Sequence, residues 1–244
     1  MTAIAEKEPT GKPAPARRET VRDRVMERMR FALLTGRIVP GRAETLRGLA
    51  EEFRVSPMPV REAVHRLAAE GALEIRPNGG LHVPAMGEAR LREIIRVRTL
   101  LEPELARMAL PNLTGEDAAT LRVLDTTLDR TIADGNVEDY MRFNHAFHFH
   151  LYQAAESEVM LPLVESVWLQ FGPFMRMVGG RVGTARFVDR HKQALEAIAT
   201  RDSEALAHAI RDDVGDGMEM LGASLFGWPS SDTGTNGAIV AEAN

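Results

Sequence analysis

Val55-Ser56-Pro57-Met58-Pro59-Val60-Arg61-Glu62-Ala63-Val64-His65-Arg66-Leu67-Ala68-Ala69-Glu70-Gly71 carries its own helix start and stop. Ser56 can cap the helix through its hydroxyl, and Pro57 falls at the first helical position, where a missing N–H costs nothing. Val60, Ala63, Val64 and Leu67 recur at helical spacing and define one apolar stripe. Gly71 supplies the backbone freedom that ends the helix.

Reading outward, Val21, Val25, Met29, Ala32 and Leu33 predict a helix that Gly36 stops. Pro40-Gly41 marks a turn, and Thr45 can cap a second helix carrying Leu46, Leu49, Ala50 and Phe53. Beyond Gly71, Leu73-Glu74-Ile75 and Leu81-His82-Val83-Pro84 flank Pro77-Asn78-Gly79-Gly80, the pattern of a β-hairpin. Helix, helix, tight turn, helix, hairpin is the order of a winged helix-turn-helix. In that arrangement the third helix enters the major groove with its N-terminal side chains toward base edges. The hairpin can touch the adjacent backbone or minor groove, and Gly79 and Gly80 let its tip approach closely. His82 fits the wing or a plain surface equally.

The chain has 244 residues, 44% hydrophobic and 27% charged, which excludes a wholly disordered chain. With no cysteine, a disulfide scaffold, a Cys-ligated zinc site, an iron–sulfur cluster and a thiol nucleophile are all excluded. The net charge of -5 alone argues against a nucleic-acid partner. Its distribution argues the other way. Residues 1–86 hold 15 Lys+Arg against 11 Asp+Glu, a net of +4, while residues 87–244 carry -9. A basic N-terminal part on an acidic body suits one part meeting a polyanion, although an excess this small also arises by scatter. The opening residues lack an apolar run, so a secretory signal is not expected, and no stretch approaches a membrane span. A cytoplasmic location is expected.

After Pro84 the periodicity is helical throughout, with candidate helices at 88–109, 115–133, 137–155, 159–179, 184–200 and 203–222. The connections are short, which predicts an all-α bundle. The expected division is a flexible arm at 1–17, a winged helix-turn-helix at 18–86, a helical domain at 87–226 and a frayed tail at 227–244. The informative residues in the bundle are polar ones on apolar faces. Asn144 and His148, four residues apart, share a face beside the stripe Phe143, Phe147, Leu151. His191 sits among Phe187, Val188, Ala194, Leu195 and Ile198, and Asp213 among Leu206, Ala209, Ile210, Gly217 and Leu221. Four polar side chains from three helices are thus aimed into one bundle. Burying a carboxylate and two imidazoles is costly unless they are paired or bind metal. One divalent ion would satisfy them, and these ligand types suit zinc, nickel or manganese. The alternative is a metal-free network with His191 hydrogen-bonded to Asp213 and water between them and His148. His145, His150 and His208 fall on other faces.

The run Leu46-Arg47-Gly48-Leu49-Ala50-Glu51-Glu52-Phe53, followed by the V-S-x-x-P-V-R-E-A stretch from Val55 and then Leu67, Glu70-Gly71 and Asn78-Gly79, resembles the DNA-binding domain of the GntR family of bacterial transcription regulators. The helical body resembles the FadR-type ligand-binding domain, the FCD domain. The resemblance implies that Arg61 meets a base edge, a role that suits a guanidinium facing guanine O6 and N7. It implies a second contact from Arg47, with Ser56 touching phosphate and Asn78 and Gly79 at the wing. Relatives often carry Arg-Thr where this chain has Pro57-Met58, so apolar contact, for example to a thymine methyl, replaces a charged one there. In FCD relatives an Asp or Asn, a His four residues on, a later His and a further His 22 residues beyond hold metal. Asn144, His148, His191 and Asp213 occupy those positions, with aspartate replacing the last histidine. Arg98 matches an arginine of the first sensor helix and can pair with an effector carboxylate or with Glu102.

The expected function is therefore a ligand-responsive transcription regulator. It would bind a palindromic double-stranded DNA operator as a homodimer and sense a small molecule, a carboxylate by family habit, beside a divalent ion, zinc foremost. Repression is the commoner outcome among relatives. The alternatives are a metal-dependent hydrolase fused to a DNA-binding domain, for which no inward Glu or Asp stands out as general base, and an effector-insensitive architectural DNA-binding protein.

Overall fold

The computed structural model describes residues 20–182 and 190–229. The predicted arm at 1–17, the first residues of the predicted helix at 184–200 with Phe187 and Val188, and the tail beyond 229 lie outside the described residues. The N-terminal unit comprises α1 (Val21–Leu34), α2 (Leu46–Phe53), α3 (Pro57–Ala69) and a hairpin of β1 (Glu74–Ile75) and β2 (Leu81–His82). Thr20 opens α1 with a capping box, its hydroxyl accepting from the Asp23 N–H while the Asp23 carboxylate accepts from the Thr20 N–H. In the hairpin Glu74 pairs with His82 and Ile75 with Leu81. Glu44 exchanges two backbone hydrogen bonds with Leu81, so the segment after the Pro40-Gly41 turn forms a third rung of the wing. Val25, Met29, Leu33, Leu49, Phe53, Val60, Val64, Leu67 and Leu81 close the core beneath it. This is the predicted winged helix-turn-helix.

The body comprises α4 (Glu88–Ala109), α5 (Gly115–Ala133), α6 (Val137–Gln153), α7 (Met160–Val182), α8 (His191–Thr200) and α9 (Ser203–Phe226). α4 packs along α9, α5 along α6, and α8 against both α9 and α5. The core runs through Leu91, Leu105, Leu121, Leu128, Phe147, Leu151, Trp168, Ile210 and Leu221. α9 extends four residues beyond the predicted end and closes on Gly227. Trp228, assigned by periodicity to the frayed tail, is instead docked: its indole N–H donates to Glu88, Arg92 lies over its ring, and the ring rests on Gly222, where a side chain would overlap it. Among the described residues no helix is long and apolar enough to cross a membrane.

The units meet along α7. Gly172 has no side chain, and a methyl there would stand 3.1 Å from the Leu34 backbone, so α7 and the end of α1 approach closely. Gly36, at φ +64°, lies directly against Arg176.

Candidate functional site

The face expected to meet DNA is built by the periodicity of α3. Val60, Ala63, Val64 and Leu67 are buried, which leaves Met58, Arg61 and His65 on an outward stripe. Arg61 makes no hydrogen bond or ion pair among the described residues. Arg47 is 89% exposed at its side chain and pairs only with Glu51, one turn away. An exposed pair of this kind is worth less than about 1 kcal/mol, so it does not bar Arg47 from a phosphate or base. Pro57, Asn78 and Gly79 are exposed too, and Gly79 takes a φ of +79° at the wing tip. Ser56 stands at the N-cap of α3 as expected, but its hydroxyl caps nothing. The predicted capping bond is absent, and the hydroxyl remains open to another partner. All seven sequence-predicted DNA contacts are solvent-facing, and His65, one turn beyond Arg61, is an outward residue that the sequence reading passed over.

In the body, His148 and His191 are fully buried and Asp213 nearly so. His148 Nε2 lies 3.3 Å from His191 Nε2 and 3.1 Å from Asp213 Oδ2. Each of the three residues offers one ligand atom, all within 4.8 Å of one another. Ligands placed tetrahedrally about 2.0–2.1 Å from a zinc ion stand roughly 3.3 Å apart, so the spacing fits a shared cation. Asp213 Oδ1 accepts from the Arg190 N–H at 2.8 Å. Burial pushes the Asp213 carboxyl up, but His148, His191 and the Arg190 N–H together hold it well below the usual carboxylate range. Burial lowers His191 to about 3, against the opposing pull of Asp213, which leaves its ring neutral and able to ligate.

The hydrogen-bond partners of His148 place its protons. Its Nδ1 lies 3.0 Å from the Tyr152 hydroxyl, which spends its one proton on Glu102 Oε2 at 2.7 Å. The Tyr152 oxygen therefore accepts from His148 Nδ1–H. His148 Nε2 is left with a lone pair facing a neutral imidazole and a carboxylate. An N–H donated by His191 Nε2 or a cation held jointly would satisfy that lone pair.

Asn144 and Arg98 line a small, partly open cavity of about 30 Å³ shared with Asp213, Trp168, Phe171 and Met175. Asn144 is half-buried beside the cluster. Arg98 is 4% exposed, so its charge is committed: its guanidinium pairs with Glu102 through two N–H groups and stacks on Trp168 and Phe171 at 4.5 and 4.2 Å. Of the two partners expected for Arg98, Glu102 is the one present, and the rest of the guanidinium edge borders the cavity.

Three further buried polar groups surround the cluster; Glu102 was foreseen only as a partner for Arg98, and Tyr152 and Asp125 were missed. Glu102 is fully buried and accepts from Arg98, Tyr152 and Trp168. Tyr152 lies one turn beyond His148. Asp125 Oδ1 lies 3.8 Å from His191 Nδ1, and burial raises its carboxyl above the usual range despite Lys192 nearby. The statement that no inward Glu or Asp is left over thus fails twice. Asp125, between Leu121 and Leu128 on a buried stripe, was open to the same reasoning that found Asp213. Of the histidines set aside, His150 pairs with Asp117 at 3.1 Å and His208 bonds the Glu204 carbonyl. His145 stacks on Phe149 at the edge of Trp168, closer to the core than predicted.

A polar latch joins the two halves. Arg30 of α1 grips Glu70 at the end of α3 with two 2.9 Å bonds and reaches Glu165 of α7. The Glu70 carbonyl accepts from Ser166 and Gln170 of α7, and Arg90 of α4 donates to both the Gly71 carbonyl and Gln170. At the far end of α1, Glu138 of α6 takes Arg37 and Arg176 together.

A winged helix-turn-helix with an outward arginine-bearing helix, latched to an all-α body that encloses a cavity and a cation-ready cluster, defines a DNA-binding regulator. Comparison with known proteins gives the family. Residues 21–83 match the bacterial regulatory proteins of the gntR family, and residues 93–216 match the FCD domain. The chain belongs to the GntR family of transcription regulators, in the group with an FCD domain. The HTH-type transcriptional regulator McbR of Escherichia coli K12 is 28% identical over 75% of this chain and 85% of its own. The gluconate operon transcriptional repressor of Bacillus subtilis is 26% identical over 81% of this chain and 85% of its own. The solved structure of E. coli McbR/YncC superposes with a TM-score of 0.79 at 26% identity, covering 84% of this chain and 98% of that one. These relatives are regulators, not enzymes, which removes the hydrolase alternative.

Proposed function

We propose that the chain is an effector-responsive transcription repressor that binds a palindromic DNA operator as a homodimer. The effector is a small carboxylate, received in the cavity between Arg98, Asn144 and Asp213. His148, His191 and Asp213, with Asn144 alongside, would hold a divalent ion, zinc before nickel or manganese, and such an ion supplies open coordination positions to an organic acid. Arg61 and Arg47 read the operator, Ser56 and the wing residues Asn78 and Gly79 set its register on the backbone, and Pro57 and Met58 offer apolar contact.

One observation carries the effector response. α7 lines the cavity with Trp168, Phe171 and Met175, and it grips the reader with Glu165, Ser166, Gln170 and Arg176. A ligand that moves the aromatic wall acts on the same rigid element that holds the end of α3. The effect requires the ligand to bind one arrangement better than the other. The test is operator binding by fluorescence anisotropy on duplexes selected from a random pool, with zinc or chelator and with a panel of small carboxylates. A several-fold change in affinity with one acid supports the reading. Affinity unchanged by metal and by every acid would leave an architectural DNA-binding protein.

A further inference from the structure

Tyr152 and Glu102 lie outside the cation cluster, yet the hydrogen-bond chain that ends on His148 begins with them. Glu102 is fully buried and takes four donated bonds: two from Arg98, one from Trp168 Nε1 at 3.1 Å and one from the Tyr152 hydroxyl at 2.7 Å. That saturation fixes the direction of every proton in the chain. Arg98 and Trp168 can only donate, so Glu102 can only accept. Tyr152 has a single proton and gives it to Glu102, which leaves its oxygen to accept from His148 Nδ1–H at 3.0 Å. The other imidazole nitrogen, Nε2, points at His191 and Asp213.

We propose that Glu102 and Tyr152 are positioning residues for cation binding: they lock His148 in the Nδ1–H form and so present its Nε2 to the cation. The proposal rests on the metal reading above, and it concerns Tyr152, four residues beyond His148, and Glu102, fifty residues before Tyr152 and on another helix. Locking an imidazole by a hydrogen bond from its remote nitrogen raises ligand basicity and removes the cost of selecting a tautomer and a ring orientation. Arg98 is bound into the same unit, because two of its N–H groups donate to the Glu102 carboxylate and hold it in place. Asp125 stands 3.8 Å from the remote nitrogen of His191, beyond hydrogen-bond length, so no equivalent lock is assigned there.

The test uses the full chain and zinc as the probe. Zinc affinity is read by competition with a chromophoric chelator for the wild type and for Tyr152→Phe. Phenylalanine keeps the ring and its packing and removes the hydroxyl, which is both the acceptor for His148 Nδ1–H and the donor to Glu102. The expected result is about one zinc per wild-type chain and a loss of roughly 10–100-fold in affinity for Tyr152→Phe. Equal affinity in the two proteins would overturn the proposal. A second measurement needs no variant: long-range ¹H–¹⁵N spectra of the histidine side chains. Zinc-loaded wild type should show His148 protonated at Nδ1 and ligated through Nε2, and ligation through Nδ1 would overturn the proposal. If the wild type binds no zinc at all, the metal reading fails, but the metal-free spectrum still decides the lock. A proton on Nδ1 alone upholds it, and a proton on Nε2 overturns it.

Discussion

Two histidines should make the metal-free protein lose stability in mild acid. His191 is buried against Phe147 with ring centroids 3.9 Å apart, and His145 is stacked on Phe149 at 4.1 Å. Burial lowers both to about 3, with the neighbouring His148 acting in the same direction on each. In the unfolded chain a histidine titrates near 6.5. The folded value lies below the unfolded one, so unfolding takes up protons once the pH falls below about 6.5 and stability falls with it. Above that pH both states are neutral and the histidines contribute no pH dependence. Between pH 7 and pH 5 the unfolded state gains about 2 kcal/mol per histidine, roughly 4 kcal/mol for the pair. The result requires only that the folded values stay well below 5. For a chain of this size that is a drop of about 8–16 °C in melting temperature. Asp213 adds almost nothing in this window, because its carboxyl is held low in the fold and is largely ionised in the unfolded chain above pH 5. The assay is urea or thermal unfolding at pH 7 and pH 5 in chelator, on the wild type and on His145→Gln/His191→Gln. The variant should lose most of the pH dependence. If it loses as much stability as the wild type between the two pH values, the burial argument is wrong.

Three other outcomes follow from the geometry. Arg61→Ala should weaken binding to a selected operator by about 1–3 kcal/mol, the value of one bidentate base contact, and unchanged affinity in an anisotropy titration would remove Arg61 from the interface. Ser166→Ala/Gln170→Ala strips both side-chain donors from the Glu70 carbonyl, a loss of about 1–3 kcal/mol of latch energy. Operator affinity should then respond less to zinc and chelator than in the wild type, and an undiminished response would show that the latch does not transmit. Gly36→Ala meets both a φ of +64° and a methyl only 2.5 Å from Arg176 Cβ, so it should destabilise by at least about 1–2 kcal/mol in a urea melt. Wild-type stability in that variant would mean the turn relaxes freely.

The reader was legible in the sequence because each of its signals is local. Ser56-Pro57 sets the start of α3, four apolar residues set its buried side, and Asn78-Gly79 sets the wing tip. The cation cluster was legible for a different reason. His191 and Asp213 each break an apolar stripe and His148 stands beside one, on three separate helices, and a bundle has one interior into which such residues can point. The same test applied to Asp125 would have found it. Glu102 and Tyr152 were harder: a glutamate one turn after an arginine reads as an ordinary exposed pair, and a tyrosine on an apolar stripe reads as core. Trp228 was missed because its seat is an absence, the bare backbone of Gly222, which periodicity does not register.

The latch was not legible at all, and its composition explains why. Arg30, Arg90, Glu165 and Gln170 have the character of solvated helix faces, and their partners lie far along the chain: 135 residues separate Arg30 from Glu165, and 100 separate Gln170 from Glu70. What distinguishes α7 is the division of its surface. Trp168, Phe171 and Met175 recur at three- and four-residue spacing and form the cavity wall, while Ser166 and Gln170 lie four apart on the neighbouring stripe and hold the carbonyl that ends α3. Trp168 is tied in turn to Glu102, and Glu102 to Tyr152 and His148. At Gly172 the helix lies so close to Leu34 that nothing larger than hydrogen fits without displacement. Close-packed elements of this kind shift together instead of deforming. A ligand that displaces Trp168 must therefore either break its bond to Glu102 or carry α7 with it, and α7 cannot move without pulling on Glu70 at the foot of the recognition helix.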